Sequence, residues 1–140
     1  MEIEGRTVAG IGRGLCLLVG VEKGDTPGQA EALARKCAEL RIFPDAAGKM
    51  NLGLAEASGE ILAVSQFTLA GSVRKGRRPS FDNAEAPERA ADLFAHFTAC
   101  LRTAGFKVET GIFRAEMVVR IANDGPVTFV LECRPGGPVS

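Results

Sequence analysis

This sequence of 140 residues lacks several features that mark common classes of protein. It carries no net charge, because 17 lysines and arginines are balanced by 17 aspartates and glutamates. That balance argues against a protein that coats long nucleic acid or a membrane surface, so any contact with a polyanion must be local. No apolar run approaches the length of a membrane span, and no signal peptide opens the chain. We therefore expect a cytoplasmic protein.

Histidine is scarce as well, with His96 the single example. It falls at the flank of the apolar stripe of a predicted helix, where we expect a solvated surface residue. Since a serine or threonine nucleophile needs a positioned base, a Ser-His-Asp triad is not predicted. The carboxylates are scattered, and no pair has a spacing typical of acid–base catalysis or of a metal site. We predict no metal and no cofactor, and any catalysis must use backbone donors, bound water or the substrate itself.

The cysteine pattern excludes further classes. The four cysteines have apolar neighbours and no C-x-x-C spacing; they are Cys16, Cys37, Cys100 and Cys133. This pattern favours buried reduced thiols in a reducing compartment over a zinc site or disulfides. The glycines between positions 10 and 14 lack a following helix, so a dinucleotide-binding fingerprint fails its structural test.

What the sequence does contain is enough apolar material, 46% of its residues, to bury the core of one compact domain. Two helices are predicted from apolar residues at helical spacing. The first covers about residues 27 to 41, after a capping box formed by Thr26 and Gln29, and the second covers about residues 87 to 104.

Strands outnumber helices in this prediction. A hairpin at residues 12 to 14 joins "RTVAGIG" to "GLCLLVGV", "EILAVSQFTLAG" is a strand buried on both faces, and three strands end the domain, "FKVETGIF", "EMVVRIA" and "VTFVLEC". This order predicts an α+β domain at residues 1 to 133, with a curled, mostly antiparallel, barrel-like β-sheet covered by two helices. Residues 134 to 140 have little apolar content, and we expect them to form a disordered tail.

Polar residues at the end of an apolar strand are the first candidate site. Ser65, Gln66 and Thr68 stand in "SQFTLAG", where they either line a substrate pocket or satisfy the backbone at a strand end. The loop "RKGRRPSF" follows at once. Its cations are either solvated or hold a few phosphates, as at the end of an RNA; they are Arg74, Lys75, Arg77 and Arg78.

The second candidate is the turn in "IANDGPVTFVLE". Asn123, Asp124 and Gly125 are typical of a tight hairpin. Pro126, however, cannot donate a ladder hydrogen bond, and it pushes Gly125 toward extended or special backbone angles. The turn is therefore either an ordinary projecting surface turn or one that another group holds.

Together, "SQFTLAG" and "NDGPVTFVLE" resemble the two signature motifs of the D-aminoacyl-tRNA deacylases, in the same order and spacing. Other stretches are similar too, among them "LLVGVEKGD", "RIFPDAAGKMNL", "KGRRPSF" and "TGIFRAEM", so the resemblance extends from about Glu2 to Glu132. It implies hydrolysis of the ester that joins a D-amino acid to the 3′-terminal adenosine of tRNA. It also implies a homodimer in which the Gly-Pro turn of each subunit enters the active site of the other.

The resemblance further implies roles for individual residues. The scissile ester would be framed, mainly by backbone atoms, by Ser65, Gln66, Phe67 and Thr68, while the ribose 2′-hydroxyl of the substrate helps the attack. The chiral pocket would be lined from the second subunit by Asn123, Gly125 and Pro126, with a cis peptide bond before the proline. The cations of the "RKGRRPSF" loop would face the tRNA end. Phe113 and Met117 are candidates for the wall that receives the terminal adenine.

One departure concerns the first strand. Family members begin with a further strand, reading roughly "QRV" and then "RA", whose arginine supports the Gly-Pro turn, and no residue here matches it. We expect either a start codon placed too late or a protein without this edge strand. Two other functions stay open: a sister deacylase that clears L-alanine from the wrong tRNA, whose first motif differs from "SQFTL", and a non-catalytic RNA-binding relative.

Overall fold

The computed structural model describes residues 1–140. The elements follow one another as β1 (Glu2–Ile3), β2 (Arg6–Thr7), β3 (Gly14–Val19), α1 (Pro27–Glu39), β4 (Phe43–Pro44), β5 (Met50–Leu52), β6 (Glu60–Ser65), a short 3-10 helix (Phe67–Ala70), α2 (Pro87–Thr103) and β7 (Val108–Thr110). The two predicted helices are confirmed, and each ends within about two residues of its predicted end.

Local signals set the boundaries of both helices. At the start of α1, the Thr26 backbone N–H donates a hydrogen bond to Gln29 Oε1 at 2.7 Å, as the capping box requires. Helix α2 begins at Pro87, whose missing N–H is no loss in the first turn. It ends before Gly105, where φ is +98°, a left-handed value that glycine adopts without strain.

The centre of the molecule is a parallel three-stranded sheet in the order β3-β6-β7. Strand β3 pairs with β6 along its whole length, and β7 pairs with the other edge of β6. Parallel neighbours need crossover connections, which contain α1 between β3 and β6 and α2 between β6 and β7. Both crossovers proceed in the same direction across the sheet, so the right-handed rule places both helices on the same face.

The core lies on both faces of β6. Ile61 and Ala63, both fully buried, join the main cluster with Phe97 and Leu101 of α2 and with residues of α1. Leu62 and Val64 point the other way, as the period of two in a strand dictates, into a smaller cluster with Met1, Ala9 and Met117. The prediction of a strand buried on both faces is confirmed.

The predicted antiparallel, barrel-like sheet is wrong for this chain. The hairpin predicted at residues 12 to 14 is absent, because β3 pairs with β6 and β2 pairs with β1 instead. Glu4 and Gly5 form the turn of that short β1-β2 hairpin, and both have positive φ, as a type I′ turn requires. The other antiparallel pair, β4 with β5, is equally short. The fold is a small α+β domain with two helices and mixed sheets.

The last two predicted strands, "EMVVRIA" and "VTFVLEC", do not pair with each other. Val118 makes a bridge to Glu2, with two backbone hydrogen bonds of 2.9 Å, whereas residues 119 to 131 have no sheet partner. A β-branched sequence favours an extended backbone, but a strand also needs a neighbour within reach. Within one chain, these residues have none.

Residues 134 to 140 differ from the expected disordered tail. They fold back on the chain, with the backbones of Glu132 and Ser140 exchanging hydrogen bonds of 2.8 and 2.9 Å. Pro135 and Gly136, the latter with φ +74°, occupy the central positions of the turn, which suits a type II turn. Backbone hydrogen bonds, rather than the burial of apolar side chains, hold this segment in place. None of the helices combines the length and the apolar character that crossing a bilayer requires.

Candidate active site

The first motif lies where β6 leaves the central sheet. Ser65 is the last residue of β6 and pairs with Val19 of β3. The next backbone N–H, that of Gln66, donates to the Val19 carbonyl oxygen at 2.8 Å, and the chain then turns into the 3-10 helix. A Cβ on Gly20 would lie only 2.9 Å from Leu69 Cβ, so a glycine is needed at that position for close approach. The motif is thus displayed at the carboxyl end of two parallel strands.

Two side chains of the motif, those of Gln66 and Thr68, form a hydrogen bond with each other. Gln66 Nε2 donates to Thr68 Oγ1 at 2.5 Å, and both groups are accessible to solvent. No histidine, lysine or carboxylate makes a hydrogen bond to the Thr68 hydroxyl. Because an amide N–H cannot accept a proton, the Thr68 hydroxyl has no base in this arrangement. The site can offer backbone donors and a hydroxyl, but not a conventional nucleophile.

His96 is placed away from the motif. Its Nε2 atom lies 2.9 Å from Glu31 Oε1, so the imidazole links α2 to α1. The same nitrogen is 3.9 Å from Cys100 Sγ. The side chain is 39% exposed, as the sequence predicted for a residue at the flank of the apolar stripe. No catalytic triad is assembled around Ser65 or Thr68.

The four cations predicted to meet tRNA lie on one loop beside the first motif. The backbones of Ser72 and Ser80 exchange two hydrogen bonds of 2.8 Å, which closes residues 73 to 79 into a projecting loop. All four cations are exposed, and none of them forms an ion pair within the chain. Just after the loop, the ring of Phe81 packs edge to face against Phe67, with centroids 5.1 Å apart. The ring of Phe81 therefore connects the end of the loop to the first motif.

The Gly-Pro turn projects from the surface and is held by Asn123. Its Oδ1 atom accepts a hydrogen bond from the Val127 backbone N–H, and its Nδ2 atom donates to Thr128 Oγ1, both at 3.0 Å. The Gly125-Pro126 peptide bond is cis, and Gly125 has φ +131°. The turn is therefore exposed, and the group that holds it belongs to the turn itself. No hydrogen bond joins residues 123 to 128 to residues 65 to 70.

The two candidates for the adenine wall lie against different parts of the core. The ring of Phe113 is tilted against Phe94 of α2, at 6.5 Å between centroids. Met117 packs in the smaller cluster on the other face of the sheet, close to Gly111. A shared pocket formed by these two side chains is not evident within the chain.

A surface cleft of about 390 Å³ lies elsewhere, between the turn after β5 and the end of α2. Within it, Lys107 Nζ is 2.9 Å from Glu60 Oε2. The hydrogen bond from Lys107 lowers the pKa of the Glu60 carboxyl, and the same bond raises the pKa of Lys107. Each charge thus compensates the other, and the cleft offers no reactive group.

Sequence reasoning missed Phe81, Gly71 and the Ser72–Ser80 pair as parts of this region. The sequence of "KGRRPSF" shows its charges, whereas the contact between its phenylalanine and the first motif exists only in the folded chain. The signal available in the sequence was the recurrence of aromatic residues on both sides of a glycine-bounded cationic loop.

Comparison with known proteins gives a consistent result over almost the whole chain. A family model described as D-Tyr-tRNA(Tyr) deacylase matches residues 1–132. A D-aminoacyl-tRNA deacylase of Geotalea uraniireducens (strain Rf4) is 56% identical over 132 residues, which cover 94% of this chain and 85% of that protein. A protein of the same name from Geobacter sulfurreducens (strain ATCC 51573 / DSM 12127 / PCA) is 55% identical over 134 residues, covering 96% of this chain and 88% of that protein.

Two solved structures have a similar fold. One described as the c-Myc DNA Unwinding Element Binding Protein has a TM-score of 0.89 at 39% sequence identity, covering 95% of this chain and 91% of that chain. One described as a probable eukaryotic D-amino acid tRNA deacylase shares the fold, with a TM-score of 0.66 at 20% identity over 76% of this chain and 77% of that chain. By its sequence from residue 1 to residue 132, this chain belongs to the D-aminoacyl-tRNA deacylase family.

Proposed function

We propose that this protein hydrolyses the ester bond of D-aminoacyl-tRNA, releasing a free D-amino acid and tRNA. The observation that carries the proposal is the 55–56% identity to relatives named D-aminoacyl-tRNA deacylase over 94–96% of the chain. Such an enzyme removes D-amino acids before they reach the ribosome and works in the cytoplasm, where translation takes place. The neutral net charge suits a protein that meets only the end of its tRNA.

The proposed mechanism relies on positioning and backbone donors. An aminoacyl ester is already reactive, so holding water, ester and donors in register supplies several kcal/mol without a strong base. Ser65, Gln66, Phe67 and Thr68 frame the ester, and the terminal ribose 2′-hydroxyl assists the attack. This mechanism is supported by the state of the Thr68 hydroxyl, which is bonded to the Gln66 amide and has no base.

A homodimer completes the proposed site. Asn123, Gly125 and Pro126 of each subunit enter the active site of the other and exclude L-amino acids by their bulk. In support of this arrangement, the turn is exposed, is braced by its own asparagine and makes no hydrogen bond to the first motif of its own chain. The neighbouring extended segments carry large apolar side chains that are at least half exposed, namely Val118, Ile121, Phe129 and Val130. Exposed apolar surface of this kind is typical of a protein–protein interface.

The loop cations hold the tRNA end in this proposal. Arg74, Lys75, Arg77 and Arg78 are free of ion pairs within the chain. Their loop ends next to Phe81, whose ring packs against Phe67. Phe113 and Met117 receive the terminal adenine in this proposal. Because the two side chains pack against different parts of the core, the substrate or the second subunit would have to complete the pocket. Because phosphate contacts release counterions, binding should weaken steeply as the salt concentration rises.

The direct test is to incubate the purified protein with a D-aminoacyl-tRNA and with its L counterpart and to follow the release of free amino acid. We expect rapid release from the D ester and none above background from the L ester. Equal release from both esters would refute chiral selection. Release of L-alanine from a mischarged tRNA alone would assign the sister activity, and tight tRNA binding without release would identify a non-catalytic RNA-binding protein.

A further inference from the structure

Phe81 has no role in the mechanism proposed above, but its ring contacts Phe67, one of the four residues that frame the ester. The two rings meet edge to face, at 5.1 Å between centroids and 61° between planes. Phe67 opens the 3-10 helix of the first motif, and its side chain is 59% exposed, whereas Phe81 is 38% exposed. An exposed ring on a short helix has few contacts to fix it. The ring of Phe81 supplies such a contact from outside both signature motifs.

Gly71 makes the space in which the Phe81 ring sits. A Cβ at this position would lie 2.9 Å from Phe81 Cε1 and 2.9 Å from the Thr68 carbonyl oxygen. Carbon atoms in folded proteins do not approach so closely, so any larger residue would displace the ring or the end of the 3-10 helix. The φ of Gly71 is −70°, an ordinary value. Close approach of the ring, and not an unusual backbone angle, is therefore the reason for a glycine here.

The same ring lies at the base of the cationic loop. Phe81 directly follows Ser80, which exchanges two backbone hydrogen bonds of 2.8 Å with Ser72, and Ser72 directly follows Gly71. The loop that carries the cations is thus closed at the point where the ring contacts Gly71 and Phe67. A movement of Phe81 would shift both the motif and the loop.

We infer that Phe81 is a positioning residue: seated on Gly71 and against Phe67, its ring fixes the 3-10 helix and the base of the cationic loop relative to each other. This inference rests on the proposed function and deepens it. When the loop cations hold the phosphates of a tRNA end, the distance from that anchor to Thr68 is set by the Phe81 ring. Binding of the tRNA and placement of its ester are coupled through this side chain.

The experiment compares Phe81→Leu, Phe67→Leu and the double variant with the unaltered protein. Two substrates are used: D-aminoacyl-tRNA, and 3′-(D-aminoacyl)adenosine, which has no phosphates for the loop to hold. Phe106→Leu is the matched control, because Phe106 is a half-buried phenylalanine that lines the separate cleft beside Lys107. Phe81→Tyr keeps the ring and tests rescue.

We expect Phe81→Leu to lower kcat about fivefold for both substrates, which is the size of effect that an edge-to-face pair supports. Its KM should rise for the tRNA but not for the adenosine ester. Phe81→Tyr should restore kcat to within about twofold of the unaltered protein, because the edge-to-face contact is kept. Since Phe81 acts through Phe67, the double variant should be no slower than Phe67→Leu alone, a non-additivity that general destabilisation does not produce.

Three results would overturn the inference: a change in kcat below about twofold, which is within the range of a distant substitution; an equal loss in Phe106→Leu; or additive effects of the two leucine substitutions. Thermal unfolding confirms that each variant is folded. If Phe81→Leu does not fold, Gly71→Ala displaces the ring from the other side and must show the same split between kcat and KM.

Binding of uncharged tRNA, measured in parallel, separates this inference from the proposed function. If the unaltered protein releases no amino acid but binds tRNA, and Phe81→Leu weakens that binding, the hydrolase proposal fails and the positioning role stands. If Phe81→Leu leaves binding unchanged as well, both fail.

Discussion

At the scale of single residues, the mechanism proposed here depends most on the side chain of Thr68. Its hydroxyl oxygen accepts a hydrogen bond from Gln66 and is not within hydrogen-bonding reach of any base. A hydroxyl in this state can orient water or an ester but cannot readily be deprotonated. Its contribution to the rate should therefore be that of one hydrogen bond.

We predict that Thr68→Ala lowers kcat about tenfold without abolishing turnover, because one hydrogen bond to the reacting groups is worth roughly 1 to 1.5 kcal/mol. Single-turnover release from D-aminoacyl-tRNA measures the effect. Thr103→Ala, at the exposed end of α2, is the matched control. Complete loss of activity in Thr68→Ala, with the fold intact, would instead identify Thr68 as a covalent nucleophile.

The buried thiol of Cys37 makes the stability of the folded chain depend on pH. Burial in the main core raises the pKa of its thiol to about 11 from the ordinary value of 9.0. Below pH 9 the thiol is protonated in both the folded and the unfolded chain. As the pH rises from 9 toward 11, the unfolded chain loses this proton while the folded chain keeps it, so the folded state loses stability.

We predict that the free energy of unfolding falls by up to about 2 kcal/mol from this thiol alone between pH 8.5 and pH 11. Denaturant unfolding of the unaltered protein and of Cys37→Ala at several pH values measures the effect. The variant should show the shallower decline, because lysines and the other three cysteines titrate alike in both proteins. Parallel declines in the two proteins would contradict the prediction.

At the scale of elements, the Gly-Pro turn is an independent structural unit. Asn123 braces it from within, and its residues are exposed. Changing the turn should therefore affect catalysis much more than folding. Among the exposed prolines, Pro135 in the C-terminal turn is the natural comparison.

We predict that Pro126→Ala lowers kcat/KM about 100-fold, because misplacing a positioning group by about an ångström costs that much. Its circular dichroism spectrum and Tm should stay close to those of the unaltered protein, and Pro135→Ala should keep full activity. Asn123→Ala, which removes both bracing hydrogen bonds, should fall between the two. Unchanged turnover in Pro126→Ala would remove the turn from the proposed site.

Helices and strands differ in how well the sequence predicts them. The helices were predicted within about two residues because capping boxes, prolines and glycines act locally. The direction of the sheet was predicted wrongly, although strand, helix, strand, helix, strand is the order typical of parallel pairing. Gly12 and Gly14 favour a hairpin instead, and a hairpin implies antiparallel strands. "EMVVRIA" and "VTFVLEC" are predicted as strands joined by the turn, but they do not pair with each other within one chain, because pairing depends on distant parts of the fold.

For the candidate site, too, the sequence indicates local features but not the contacts between distant residues. Ser65, Gln66 and Thr68 are predicted site residues because polar residues interrupt an apolar strand, and the turn is a predicted site because of Pro126. The contact of Phe81 with Phe67, 14 positions apart, follows only from the closure of the loop between them. Local chemistry can be read from sequence, whereas the packing that positions it depends on the fold.

At the scale of the whole molecule, one chain leaves much apolar surface uncovered. Val130 is 84% exposed, and Leu18, on the strand face shared with Cys16, is 45% exposed. These side chains and the braced turn are the elements that the proposed homodimer would use. The protein should therefore sediment as a dimer at micromolar concentration.

We predict that two defective variants restore activity when mixed, because each site of a twofold dimer takes the first motif from one chain and the turn from the other. Thr68→Ala and Pro126→Ala are combined, unfolded and refolded together. About half of the dimers should be mixed, each with one unaltered site, giving roughly a quarter of the unaltered activity by random pairing of equal subunits. Activity no higher than the average of the two variants would show that the turn does not act across subunits.

The hydrogen bonds of Asn123 have a further consequence for the order of events during assembly. Since the turn is shaped by contacts within its own chain, the entropy of ordering it is lost during folding and not at the encounter of two subunits. In the proposed homodimer, the subunits would then associate as nearly rigid bodies, with little rearrangement of the backbone. A newly made chain would carry half of each active site in finished form, ready to become functional at its first productive collision with a second copy.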